Sequence, residues 1–254
     1  MKRFSALSAC LLLITGVSNA AVTVSGDVAN PGPVELPAGG RLTDVISVAV
    51  PNAEAYWLAG VLLRQSLLEQ QSRLKVGVLF DLEVLARMSA LFDRPSRVAL
   101  AERVAQEVRQ MPVTGRQVAD LDPVAIEVGF ARNIRLDDGD RLIYPKRVDE
   151  VEVFGAVAEP CHLPYQPTQE AREYLQGCTT LTEDADADYL WLIQPNGVVR
   201  RVGIAHWNRE SGQIPVAGSK ILVPLKNDDL DPPLPELNQQ LAEFIATQLA
   251  EVVR

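Results

Sequence analysis

A pattern near the start of the 254-residue chain returns far downstream. "VTVSGDVANPGPVELP", Val22 to Pro37, comes back as "VEVFGAVAEPCHLPYQ", Val151 to Gln166. At a shift of 129 positions, which carries Val22 onto Val151, the valines Val24 and Val28 and residues Gly26, Ala29 and Pro31 also meet their like, without a gap. Alternating valines mark a half-buried strand, and Gly followed by Pro marks a tight turn. A second short strand follows in each copy, "PVEL" and "HLPY". One short helix comes next, "RLTDVISVA" in the first and "TQEAREYLQG" in the second. Thr168 is expected to cap the second helix and Gly177 to end it.

The copies also close alike, with "DDGDRLIYPK" and "PVAGSKILVPL". Here the shift is only 79, carrying Pro145 onto Pro224, so the first copy holds about 50 extra residues. The chain is therefore two copies of one module, the first interrupted. The extra piece, at about 51–120, reads as three helices: "AEAYWLAGVLLRQSLLEQQ", "LFDLEVLARMSALF", and one begun by Asp93 and Pro95 with Val98, Ala101, Ala105 and Val108 on one face. Such helices cannot bury their stripes alone, and they are expected to pack on module one. Module two fills the same gap with strands, "DYLWLIQ" and "GVVRRVGIAHW", around Pro195-Asn196-Gly197, a strong hairpin signal.

The expected fold is α+β: two tandem β-grasp-like modules, each a mixed sheet crossed by a helix. Module one spans 21–148 and module two 149–226. An acidic, Pro-rich linker, 227–235, leads to a C-terminal amphipathic helix over 236–254. There Leu237, Leu241, Phe244, Ile245, Leu249 and Val252 form one apolar stripe, with acids and amides elsewhere. It either docks on the protein's own modules or serves a partner or a second copy.

The opening V-x-V-x-G-x-V-x-x-P-G, the following L-x-D-V-I and the closing G-D-x-L-I-Y-P resemble the soluble-ligand-binding β-grasp domain of polysaccharide export proteins. The full order resembles the GfcC-like capsule-biosynthesis family over about 22–254. It includes the insert, "LIQPNGVVRRVGIAHWN" before "PVAGSKILVPL", and the terminal "LPELNQQLAEFIATQLAEVV". The resemblance implies a periplasmic, non-enzymatic protein assisting assembly or export of surface polysaccharide. Its partners would be the polysaccharide, the outer-membrane export machinery, or both. It also suggests self-association through the last helix, since export channels form rings with theirs. Cys161 departs from the Gly usual after that Pro, which implies a modified turn.

Composition narrows the partners. A net charge of -9 argues against nucleic acid and anionic lipid. Lys2, Arg3, "ACLLLITGV" and Ser18-Asn19-Ala20 read as a secretory signal peptide, 1–20, cleaved after Ala20. "LSAC" offers a lipoprotein reading, but the apolar run lies after Cys10, on the wrong side. Cleavage leaves Cys161 and Cys178. In an oxidising compartment the pair is expected to be bridged, for roughly 3 kcal/mol of loop entropy, with two buried thiols as the alternative.

Signs of chemistry are few. The two histidines, His162 and His206, fall in different strand contexts, and no Walker, G-x-S-x-G or H-E-x-x-H motif is present. "DADAD", Asp184 to Asp188, lacks the Gly and Glu of a calcium loop and reads as a solvated acidic loop; "DDGD", Asp137 to Asp140, reads as a turn. No metal and no cofactor is expected. Arg116, in "PVTGRQVADLDP", is a candidate for binding an acidic sugar; an ion pair with Asp120 or Asp122 is the plainer reading. Trp57, Trp191 and Trp207 can stack on sugar rings, though their apolar neighbours favour core packing. A non-enzymatic accessory role comes first, a stand-alone periplasmic carbohydrate-binding module second, and a hydrolase or lyase last. The mature protein isolated from cells is expected to begin at Ala21, as intact mass will show; a diacylglyceryl group on Cys10 would refute this.

Overall fold

The computed structural model describes residues 20–181, 183–230 and 233–249. The expected targeting segment, apart from Ala20, lies outside them. Module one opens with β1 (Ala20–Gly26) and β2 (Gly32–Leu36), then α1 (Leu42–Ala49). β3 (Val61–Leu63) follows, then α2 (Leu68–Leu91), α3 (Pro95–Gln110), β4 (Arg116–Gln117), α4 (Pro123–Glu127) and β5 (Arg141–Tyr144). Module two comprises β6 (Glu150–Gly155), β7 (Cys161–Pro164), α5 (Ala171–Tyr174), β8 (Tyr189–Ile193), β9 (Val199–Gly203) and β10 (Lys220–Val223). The last element is α6 (Leu237–Ala246).

The repeat is exact in topology. The sheets run β2-β1-β5-β3-β4 and β7-β6-β10-β8-β9. In each, the opening strand pairs antiparallel with the second strand and parallel with the closing one. Gly26 and Gly155 end the two opening strands at the same φ of 93°. A Cβ on either would collide with the carbonyl of its closing strand, Tyr144 or Val223. That close approach explains why the V-x-V-x-G signature survives in both copies.

The insertion lies within the expected stretch but is narrower, falling between β3 and β4. β3 and β4 are the counterparts of β8 and β9, since each pair adds to the closing strand in the same antiparallel way. "GVLL" is strand rather than helix because Val61–Leu63 completes the sheet and is wholly buried there. The remaining apolar pattern merges into one long helix, α2, so the insert has two main helices, not three. Both arise within the β3–β4 connection, where module two has its Pro195-Asn196-Gly197 turn.

The apolar faces of the pair pack on module two rather than on the core of module one. Val78, Leu82 and Leu85 of α2, with Leu100, Ala101, Val104 and Val108 of α3, share a single core with β6, β8, β10, α5 and α6 of the second half. Arg103 of α3 donates to the Gly155 and Val157 carbonyls at 2.9 and 2.7 Å. Arg97, buried in the same helix, meets Asp184 at 3.2 Å and Asp229 at 2.7 Å. Asp184 is thus a buried ion-pair partner rather than part of a solvated loop. Asp229, expected in a flexible linker, is tied to both Arg94 and Arg97, and neighbouring Leu230 is buried. Module one keeps its own core of Val22, Val24, Leu36, Leu42, Val45, Leu62, Leu142 and Tyr144 beneath α1.

α6 covers the second core. Leu237, Leu241, Phe244 and Ile245 are all at most 3% exposed, so this stripe docks internally instead of awaiting a partner. The helix stops at Ala246, short of the expected 254. Leu249 lies beyond it and packs on Val61, Leu63 and Ile143 of the first sheet. Val252 lies outside the described residues. Cys161 and Cys178 are disulfide-bonded, with Cα atoms 5.9 Å apart. The α5 start is a capping box of Glu170 and Glu173 rather than Thr168, while Gly177 does end the 3₁₀ turn that follows. Phe244→Ala is expected to cost about 3–5 kcal/mol in urea unfolding, with one cooperative transition because α6 belongs to the shared core.

Candidate functional site: the seam between the modules

The β3–β4 strand pair of module one meets the β8–β9 turn of module two at a seam, and Arg116 sits there, bonded to Gly60 on one side and Pro195 on the other. It is 6% exposed, on β4. Its backbone is placed by Gln71 of α2, which accepts from the Gly115 N–H and donates to the Arg116 carbonyl, both at 2.8 Å. Gly115 makes the bend into β4 at φ 74°, where a Cβ would strike the Arg64 carbonyl. The guanidinium then donates to four carbonyls. They are Ala246 at 3.1 Å, the last residue of α6, Gln248 at 3.2 Å just beyond it, Gly60 at 3.4 Å, and Pro195 in the module-two turn. A cation at a helix C-terminus satisfies carbonyls that the helix leaves open.

No carboxylate among the described residues pairs with Arg116, so the expected ion pair with Asp120 or Asp122 is not formed. Burial alone pushes its pKa down to about 10. The group remains charged at neutral pH, its charge met by carbonyl dipoles, and only its Nε lacks a partner. Gly197, at φ 89°, lets the turn approach: a Cβ there would meet Val118 at 3.0 Å. Thr114 donates to the Thr247 carbonyl at 2.7 Å, and Gln248 to that of Pro112 at 3.2 Å. One segment, 112–117, is thereby stitched to the end of α6.

Beside Arg116 lies a cavity of about 30 Å³, lined also by Tyr56, Lys146, Gln194, Lys220 and Gln248. It has room for one or two waters but not for a sugar ring. Tyr56 closes one wall, donating to the Ala217 carbonyl of module two at 2.8 Å. Burial, the largest influence, raises its pKa. The Arg147 guanidinium stands 5.4 and 5.5 Å from the Tyr56 and Tyr165 rings, a cation between one aromatic from each half. Lys220 is paired with Glu152 at 2.6 Å. The arrangement can hold two modules at a fixed angle and bind a small polar group; it brings no nucleophile next to a base.

The other sequence candidates lie apart. His162, on β7, faces Glu150 at 3.6 Å, and His206 is exposed beyond β9. Trp191 packs partly into the second core, as the plainer reading expected. Trp57 is 37% and Trp207 70% exposed, so apolar neighbours in sequence did not bury Trp207. Among the described residues no three or more His, Cys, Asp or Glu gather into a metal site, and no helix is long and apolar enough to cross a membrane.

Profiles of known families account for both halves. The profile "Capsule biosynthesis GfcC, N-terminal" matches residues 18–146, and "Capsule biosynthesis GfcC C-terminal" matches 159–250. The chain belongs to the capsule biosynthesis GfcC family. A relative among curated proteins is the uncharacterized protein YjbG of Escherichia coli K12, 26% identical over 249 residues, covering 95% of this chain and 97% of that protein. The polysialic acid transport protein KpsD of Escherichia coli is 25% identical over 176 residues, 69% of this chain but only 31% of that protein. This GfcC-family chain thus resembles a polysialic acid transport protein over about a third of the latter's length.

The sequence drew attention to Arg116 but gave no sign of its carbonyl partners. All four are backbone carbonyls, which carry no residue-type signal. Arg116→Lys is expected to lower stability by about 2–4 kcal/mol, because an ammonium cannot reach carbonyls on three sides at once. Urea unfolding measures it; an unchanged midpoint would remove Arg116 as the clamp.

Proposed function

We propose that this GfcC-family protein acts in the periplasm as a non-enzymatic accessory to surface-polysaccharide export. It would work by holding a partner of the export machinery, the glycan, or both. The observation that carries this reading is the match of both modules, in order, to capsule-biosynthesis profiles. The likeness to a polysialic acid transport protein supports it. The two-module body, clamped at its seam by Arg116, suits a rigid adaptor better than a hinged enzyme. Secretion through the cleaved segment before Ala21, and the disulfide of Cys161 with Cys178, fit an oxidising compartment.

Deleting the gene is expected to reduce surface polysaccharide or loosen its attachment to the cell, with restoration by the wild-type chain. Purified protein is expected to leave a defined oligosaccharide of that polymer uncut. A deletion strain with normal amount, chain length and attachment would refute the export role, and turnover by pure protein would refute the non-enzymatic one.

A further inference from the structure

Trp207 is exposed, yet its ring is not free. Its indole N–H donates to Asp188 Oδ1 at 3.1 Å. Its ring meets that of Tyr189 edge to face, with centroids 6.2 Å apart and planes at 89°. The Arg201 guanidinium in turn lies 3.4 Å from the Tyr189 ring centroid. The loop that carries Trp207 is pinned as well. Asn208 accepts from the Ala205 N–H and donates to the Asp188 carbonyl, both at 3.0 Å. Ile204 N–H donates to that same carbonyl at 2.9 Å. Gly203 and Glu210 exchange two further bonds, and a Cβ at Gly203 would collide with the Asn208 backbone. The fold therefore holds a large aromatic face toward water in one orientation.

Scattered surface apolar groups are ordinary and need no explanation. A tryptophan fixed through its polar edge, beside a second ring and a stacked cation, is a prepared surface: its ordering cost is met before any ligand arrives. The chemistry around it selects the ligand. The aromatic face suits the C–H face of a pyranose, and Asp188, with one oxygen on the indole N–H, keeps the other for a ring hydroxyl. Arg201 has no carboxylate partner among the described residues, so its planar fork can take a sugar carboxylate.

We propose that Trp207, Tyr189 and Arg201 form a stacking site for a carboxylate-bearing pyranose of surface polysaccharide. The proposal rests on the export reading above and names where the glycan would meet the protein.

The test is calorimetric titration of the full mature chain with acidic surface polysaccharide extracted from the producing cells. The same glycan after chemical reduction of its carboxyls serves as the second probe. Trp207→Ala is expected to weaken binding about tenfold, and Trp207→Phe no more than about threefold. Arg201→Gln is expected to weaken binding of the native glycan and leave the reduced one unchanged. Melting temperatures equal to wild type will show that the fold is kept. Absence of binding by the wild type, or equal affinity in Trp207→Ala, overturns the site. If Trp207→Ala keeps its glycan affinity yet fails to restore a deletion strain, the surface serves a protein partner instead and the proposal falls. If it keeps its affinity and does restore the strain, the export role stands while this site falls.

Discussion

The second sheet sets the terms for the whole molecule. Its strands carry apolar residues toward both faces: Val151, Val153, Leu190, Leu192 and Ile221 at one set of positions, Phe154, Ile193 and Leu222 at the other. A single short helix, α5, cannot cover both. Leaving one face wet would expose several large side chains, each worth about 1.5–3 kcal/mol on burial. The cover is assembled from α2 and α3, grown out of module one, and from α6 at the far end of the chain. Most long-range features follow from this. Arg97 and Arg103 bridge the halves, the linker is pinned at Asp229, and Leu249 turns back onto the first sheet.

The sequence displayed the repeat plainly because strands and their Gly-Pro turns leave period-2 and conformational marks that are local. Gly26 and Gly155 are the clearest case: one steric demand, written twice. The C-terminal stripe was equally visible as a pattern, but a stripe does not say what it touches. Leu237 to Ile245 would look the same on a partner as on β8. The strand Val61–Leu63 was hidden because three consecutive apolar residues beside helix formers carry no period. The destination of α2 and α3 was hidden for a further reason. Their partners lie in the other module, and only tertiary packing decides between two sheets of like composition.

At the seam, the legible and the illegible meet in one residue. Arg116 stood out by type and place, but a guanidinium satisfied by backbone oxygens has no complementary side chain to search for. Trp207 shows the reverse. Its neighbours in sequence argue for a core, yet Asp188, nineteen positions earlier, holds it at the surface by a hydrogen bond. In both cases a polar contact distant in sequence overrides what the adjacent residues suggest.

The order in which the parts are made has its own consequence. Helices α2 and α3 leave the ribosome about forty residues ahead of the first strand they cover, and α6 is nearly the last segment to appear. Until Leu237–Ala246 has emerged, the second core is open on one side and the seam lacks the helix end that Arg116 grips. The nascent chain must therefore travel with unpaired apolar helices. A stop that removes α6, though it costs less than the final tenth of the sequence, yields a sticky fragment instead of a slightly shorter working protein.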